Sequence, residues 1–312
     1  MAASETQPMM LFDRRAWRLH RERAAQRGEV EFLHAEIAER LADRLDDVGR
    51  QFRIVLDLGV HRGTLSRALA LRPGVECIVA ADPALAFLTQ GTGLRVAADP
   101  ELVPFRDHSF DLAVSALALH WAADLPGALV QLRRSLKPDG LLLAAMLGGA
   151  TLAELRTALI EAELAEEGGA GPRVSPTADL SDAAALLQRA GFALPVADAD
   201  TITVTYPDML ALMRDLRGMG ETNALSARRR TTLRRGTLAR AAAIYSERFG
   251  LADGRIPATF EILYLTGWAP DSSQPKPLKP GSAAQRLADA LGTTEFSAGD
   301  RATPPRLATD KS

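Results

Sequence analysis

The chain carries a single cysteine, Cys77, among 312 residues, which excludes a disulfide framework and any thiolate zinc site, since each needs several thiols. Lysine and asparagine are nearly absent: four of the 37 basic residues are lysine and Asn223 stands alone. That bias reads as GC-rich coding, and with the lone cysteine it favours a bacterial cytoplasm. No apolar run approaches the roughly 18 to 20 residues of a spanning helix, and MAASETQPMM lacks the basic start and apolar block of a signal peptide. An arginine-rich stretch at 14–27 has a transit-peptide composition that Asp13 and Glu22 interrupt, which leaves the mitochondrial matrix as the alternative compartment. A formal charge of −2 points to no polyanionic partner.

Two further absences narrow the chemistry. There is no GxxxxGK[ST] loop, so a phosphate-binding P-loop is excluded. A dinucleotide fingerprint fails at IVLDLGVHRG, because His61 and Thr64 stand where its second and third glycines belong. The five histidines compose no metal site: His34 and Glu36, two apart on a helix, do not share a face. Six arginines and no acid in 228–240 read as a solvated face, with phosphate or an acidic protein surface as the alternative. Without an aromatic stacking set, nucleic acid is not expected as a partner.

What is present is an alternation. An apolar stripe at Val30, Leu33, Ile37, Leu41, Leu45 and Val48 makes an amphipathic helix, and strands are expected at 54–58, 77–81, 94–97, 112–115 and 141–146. Helices are expected between them at 64–70, 84–88 and 125–136, so the sheet should be parallel. Lys137-Pro138-Asp139-Gly140 reads as a helix stop and turn, with glycine taking the positive φ. Helices at 151–163 and 179–190 flank a Gly- and Pro-rich connector, and strands at 201–205 and 259–268 are placed to close the sheet edge. The chain is expected to divide into a flexible 1–10, one domain over 11–270 with lid segments near 11–48, 147–178 and 206–257, and a polar, Pro-rich, disordered tail over 271–312 with a short helix at 283–291.

The site candidates gather at the carboxyl ends of these strands. Asp57, Gly59, His61 and Gly63 form the strand-to-helix turn that brings backbone close to a ligand. Asp82 ends the second strand, where an acid accepts from ribose hydroxyls; a helix cap is its plainer role. Asp99 adds an acid suited to an exocyclic amine, or a turn. Ser115, His120 and Trp121 follow the fourth strand, His120 as a candidate general base and Trp121 as a pocket wall, against burial in the core as their alternative. Arg214, Asp215, Arg217, Glu221 and Asn223 form a polar cluster that is either a substrate lid or a capped helix end.

From residue 57 to residue 146 these elements resemble a class I S-adenosylmethionine (SAM) methyltransferase: LDLGVHRG at the methionine side, Asp82 at the ribose, Asp99 at the adenine, then HSFDLAVSALALHW and LKPDGLLL. The resemblance implies an α/β, Rossmann-like sheet with a helical N-terminal segment and helical lid insertions, and SAM as cofactor. From residue 11 to about residue 268 the chain also resembles the complex I assembly factor 5 family, through LFDRRAWRLHRERAA, AMLGGATLAELR, LMRDLRGMGETN and PATFEILYLTGW. That likeness implies modification of an arginine on a quinone-module subunit of respiratory complex I, by hydroxylation in the mitochondrial member, at a site peripheral to the inner membrane. Two alternatives stay open: a conventional methyltransferase on a small molecule or carrier-bound carboxylate of biotin synthesis, and a non-catalytic assembly chaperone in which His61 has cost the loop its cofactor.

Overall fold

A computed structural model describes residues 11–27, 30–91, 93–275, 289 and 292. Residues 1–10 and most of 276–312 lie outside these, including the expected flexible start, the tail and its helix at 283–291. The described residues up to Ser272 form one compact unit.

Two helices, α1 (Arg14–Gln26) and α2 (Phe32–Asp46), precede the sheet. Asp13 caps α1 by accepting from the Ala16 N–H at 3.0 Å. Next come β1 (Ile54–Leu58), α3 (Thr64–Ala70), β2 (Cys77–Asp82), α4 (Leu85–Leu88), β3 (Leu94–Ala97) and β4 (Phe110–Ala116). A one-turn 3₁₀ helix (Leu119–Trp121) leads to α5 (Leu125–Ser135) and β5 (Leu136–Leu147). The remainder is α6 (Ala153–Glu167), α7 (Leu180–Arg189), β6 (Ala193–Tyr206), α8 (Met209–Met219), α9 (Arg235–Phe249) and β7 (Ile256–Trp268).

The seven strands are ordered β3-β2-β1-β4-β5-β7-β6, parallel from β3 to β5 and antiparallel through β7 and β6. Successive side chains alternate faces. Val55, Leu112 and Val114 therefore join a core with α2, α3, α6, α8 and α9, while Leu56, Leu58 and Ala113 join a second core with α5 and α7. Strand order reverses between β1 and β4, and that crevice at the carboxyl ends is where an α/β sheet binds its ligand.

Two expectations are corrected by the structure. Lys137 to Gly140 is absorbed into β5 as an irregularity, with Phe110 facing Leu136 and Leu112 facing Leu141. Asp139 takes the positive φ of 59°, while Gly140 is needed for closeness, since a Cβ there would lie 2.9 Å from the Lys137 carbonyl. The segment holds strand pairing because Asp139 N and Ala269 N bond across to Ala269 O and Gly140 O. β6 also starts eight residues before the expected position 201, at Ala193. Its early half gains from α2: Arg44 pairs with Asp198, and Arg40 with Asp200.

Candidate active site

At the end of β1 the chain turns through Gly59, His61 and Gly63, all at positive φ (81°, 50° and 76°), and enters α3. Gly59 donates to the Ala81 carbonyl at 2.7 Å, and a Cβ on it would lie 2.2 Å from the Ala118 Cβ, so this glycine is required twice over. His61 keeps the turn because histidine visits the left-handed region more readily than most side chains. Its imidazole is buried, stacked on His34 at 3.9 Å and 7° and tilted against Phe87 at 4.2 Å. Burial pushes His34 down to about 3 and holds His61 well below its ordinary value, so both are neutral at neutral pH. Neither His34 ring nitrogen has a hydrogen-bond partner among the described residues.

Asp57, beneath the turn, accepts from Ser66 Oγ at 2.6 Å, yet burial outweighs that bond and pushes its carboxyl up to about 6. An acid raised in this way contributes most to stability below about pH 4 and loses that contribution as pH rises through about 6. Asp57→Asn is therefore expected to relieve roughly 3 kcal/mol at pH 7 and little at pH 4. Thermal unfolding across that range checks this; a difference that does not change with pH would reject it.

The other two acids are already engaged by α1. Asp82, fully buried, receives Arg21 through Nε at 3.2 Å and through Nη2, and also the His61 N–H at 3.1 Å and the Ala84 N–H at 2.9 Å. Asp99 receives Arg14 through Nε at 2.8 Å and a second guanidinium N–H, and the Glu101 N–H at 3.0 Å. A carboxylate offers about four lone-pair sites, and those of Asp82 are all taken. In chemistry this set suits a nucleoside; in this arrangement Arg21 takes the bonds that Asp82 would give to ribose hydroxyls.

Beside the turn lies a cavity of about 690 Å³, lined at one end by His34, His120, Trp121 and Glu221. Glu221 Oε2 accepts from His120 Nε2 at 3.1 Å and from Trp121 Nε1 at 3.1 Å, while Oε1 has one longer contact to Trp121 at 3.3 Å. Although burial opposes it, His120 beside Glu221, with Arg21 nearby, keeps that carboxyl below its ordinary value. Arg217 and Asn223 line the same cavity; Arg214 and Asp215 do not, and Asp215 instead faces Tyr206. Gly220, at φ 84°, caps α8 between them, so the polar cluster both ends a helix and walls the cavity. Ser115 is buried within β4, its Oγ without a partner among the described residues, and stays outside the cavity. Asp57, Gly59, His61, Gly63, Asp82 and Asp99 stay outside it too.

Arg14 and Arg21 belong to no ligand-binding motif in the sequence. Their signal was spacing: Arg14, Trp17 and Arg21 recur at three and four residues on one face of α1, and Arg14 lies over the Trp17 ring at 4.3 Å. Among the described residues no group of three or more His, Cys, Asp or Glu side chains is placed to hold a metal ion. His34 faces the core, whereas Glu36 pairs with Arg40 at the surface.

The family model described as "Methyltransferase domain" matches residues 56–144. The chain is 43% identical over 294 residues to "Arginine-hydroxylase NDUFAF5, mitochondrial" of Danio rerio, covering 92% of this chain and 91% of that one. It is 36% identical to "Malonyl-[acyl-carrier protein] O-methyltransferase" of Xylella fastidiosa, over 77% of this chain and 82% of that one. The solved YcgJ protein of Bacillus subtilis shares the fold, with a TM-score of 0.52 at 16% identity over 75% of this chain and 99% of that one. The α/β sheet with its switch-point turn, the domain match and the near full-length likeness lead to one conclusion: the chain belongs to the SAM-dependent methyltransferase superfamily, in the family that includes the mitochondrial arginine-hydroxylase NDUFAF5.

Proposed function

We propose that this protein modifies an arginine of a quinone-module subunit of respiratory complex I during assembly. The observation that carries the reading is where the likeness falls. LMRDLRGMGETN, one of the segments that resemble the assembly factors, supplies Arg217, Glu221 and Asn223 to the wall of the 690 Å³ cavity, so the resemblance extends to the space a substrate would enter. In that space His120 and Trp121 hold Glu221 as a carboxylate.

SAM is the ligand we expect of the fold, bound only when Arg21 and Arg14 release Asp82 and Asp99. No helix among the described residues is long and apolar enough to cross a membrane, which fits action at the periphery of one. The composition supports a bacterial cytoplasm, and the mitochondrial relatives support the matrix as the counterpart compartment.

Two other readings each have an observation behind them. The Xylella relative supports O-methylation of a carrier-bound carboxylate. The saturated Asp82 supports an assembly chaperone without catalysis. Deleting the gene and scoring complex I activity against biotin dependence separates the first of these: loss of complex I activity with normal growth lacking biotin is expected. Biotin dependence with intact complex I would replace our reading with the carrier methyltransferase.

A further inference from the structure

The cavity has opposite charges at its two ends. At the buried end stands Glu221, the one carboxylate that lines it among the described residues, with Trp121 beside it and two histidines that each carry an unpartnered nitrogen. His34 is neutral, so each of its tautomers leaves one ring nitrogen as an acceptor without a partner among the described residues. Glu221 Oε1 retains accepting capacity, since its single contact is 3.3 Å long. Buried acceptors without donors are costly, by roughly 1–3 kcal/mol each, so this end favours a ligand rich in N–H groups. At the mouth the sign reverses. Arg23, Arg217 and Arg230 are exposed and have no carboxylate within ion-pair distance among the described residues, whereas Arg228 and Arg229 nearby are paired with Asp13 and Glu167. Between the two ends run apolar walls, Leu155, Leu159, Met213 and Phe260 among them.

We infer that Glu221, with His34, receives the guanidinium of the substrate arginine, and that Arg23, Arg217 and Arg230 select an arginine flanked by acidic residues. This rests on an arginine being the modified residue. A guanidinium matches the buried end in three ways: it carries five donors in a plane, it pairs with a carboxylate through charge-assisted bonds, and it stacks on an indole face. An ammonium is a compact point charge and uses fewer of these acceptors. The three-methylene stem of arginine fits apolar walls, as long basic side chains bury their stems. The unpaired cations at the mouth would repel a basic segment and draw an acidic one, which makes the flanking sequence a specificity element.

Fluorescence anisotropy of the full chain with labelled nonapeptides tests this without turnover. The reference peptide has a central arginine between aspartates; in its variants citrulline or lysine replaces the arginine, or asparagine replaces the aspartates. On the native protein, citrulline is expected to weaken binding by about tenfold or more, because the planar shape stays and the charge goes. Glu221→Gln should bind the arginine and citrulline peptides alike, within about twofold, a loss of discrimination that mere loosening of the fold would not produce. Arg217→Ser, at an exposed position that leaves folding intact, should reduce the preference for aspartate over asparagine by about threefold at low salt and less at high salt. Equal binding of arginine and citrulline peptides by the native protein, discrimination retained in Glu221→Gln, or no binding of either peptide would overturn the inference. These outcomes do not depend on whether the arginine is modified in the cell, which the deletion experiment decides separately.

Discussion

An Arg21→Met variant is expected to lose about 3–5 kcal/mol of stability. Arg21 and Asp82 face each other with side chains 1% and 0% exposed. Methionine fills much of the arginine's volume but leaves the Asp82 carboxylate buried with two backbone N–H partners and no countercharge. The cost is therefore set by the abandoned charge more than by lost packing. Arg21→Met combined with Asp82→Asn should recover most of the loss, because no charge then remains to be buried. Urea unfolding of the native protein, the single variant and the double variant measures this. A single variant within about 1 kcal/mol of the native protein would show that the pair does not hold α1 to the sheet.

Acidification is expected to destabilise the protein through His34 and His61. Both are neutral when folded and take up protons below about pH 6.5 when unfolded, so their contribution is complete above that pH and is lost as pH falls. Each adds up to about 1.4 kcal/mol per pH unit to the slope, or about 2.7 for the two. Asp57 opposes them between about pH 4 and 6, but it exchanges one proton against their two, so net destabilisation remains. Replacing the pair by His34→Leu with His61→Asn should flatten the curve; asparagine is chosen because residue 61 sits at φ 50°. Parallel stability curves for the native and double-variant proteins between pH 5 and 7 would contradict this.

These two effects come from contacts that the sequence holds only in fragments. β1, α3 and β3 are legible to the residue because their apolar patterns and bounding turns are local. The early half of β6 is not: Asp198 and Asp200 are poor strand residues, held in the ladder by β7 on one side and by arginines of α2. The turn at residues 59–63 could be read from its glycines, including the tolerance of histidine at residue 61. What that imidazole meets could not, since His34 lies on a helix before the sheet and no periodicity links the two. Likewise the arginine face of α1 is visible as a pattern, whereas its targets lie 61 and 85 residues away and become its partners only when the sheet has formed. The polar cluster near residue 220 shows the same limit within a single helix end: Arg214 and Arg217 look alike in sequence, and the rotation of α8 alone decides which one reaches the cavity.

We propose that this family member acts on an arginine, with Glu221 in the cavity that takes it. Mass spectrometry of the quinone-module subunit, isolated from a deletion strain complemented with native or Glu221→Gln protein, tests it most directly. The native protein should leave one arginine heavier by an oxygen atom or a methyl group, and the deletion and Glu221→Gln strains should leave it unmodified. An arginine of identical mass in all the strains would contradict the claim.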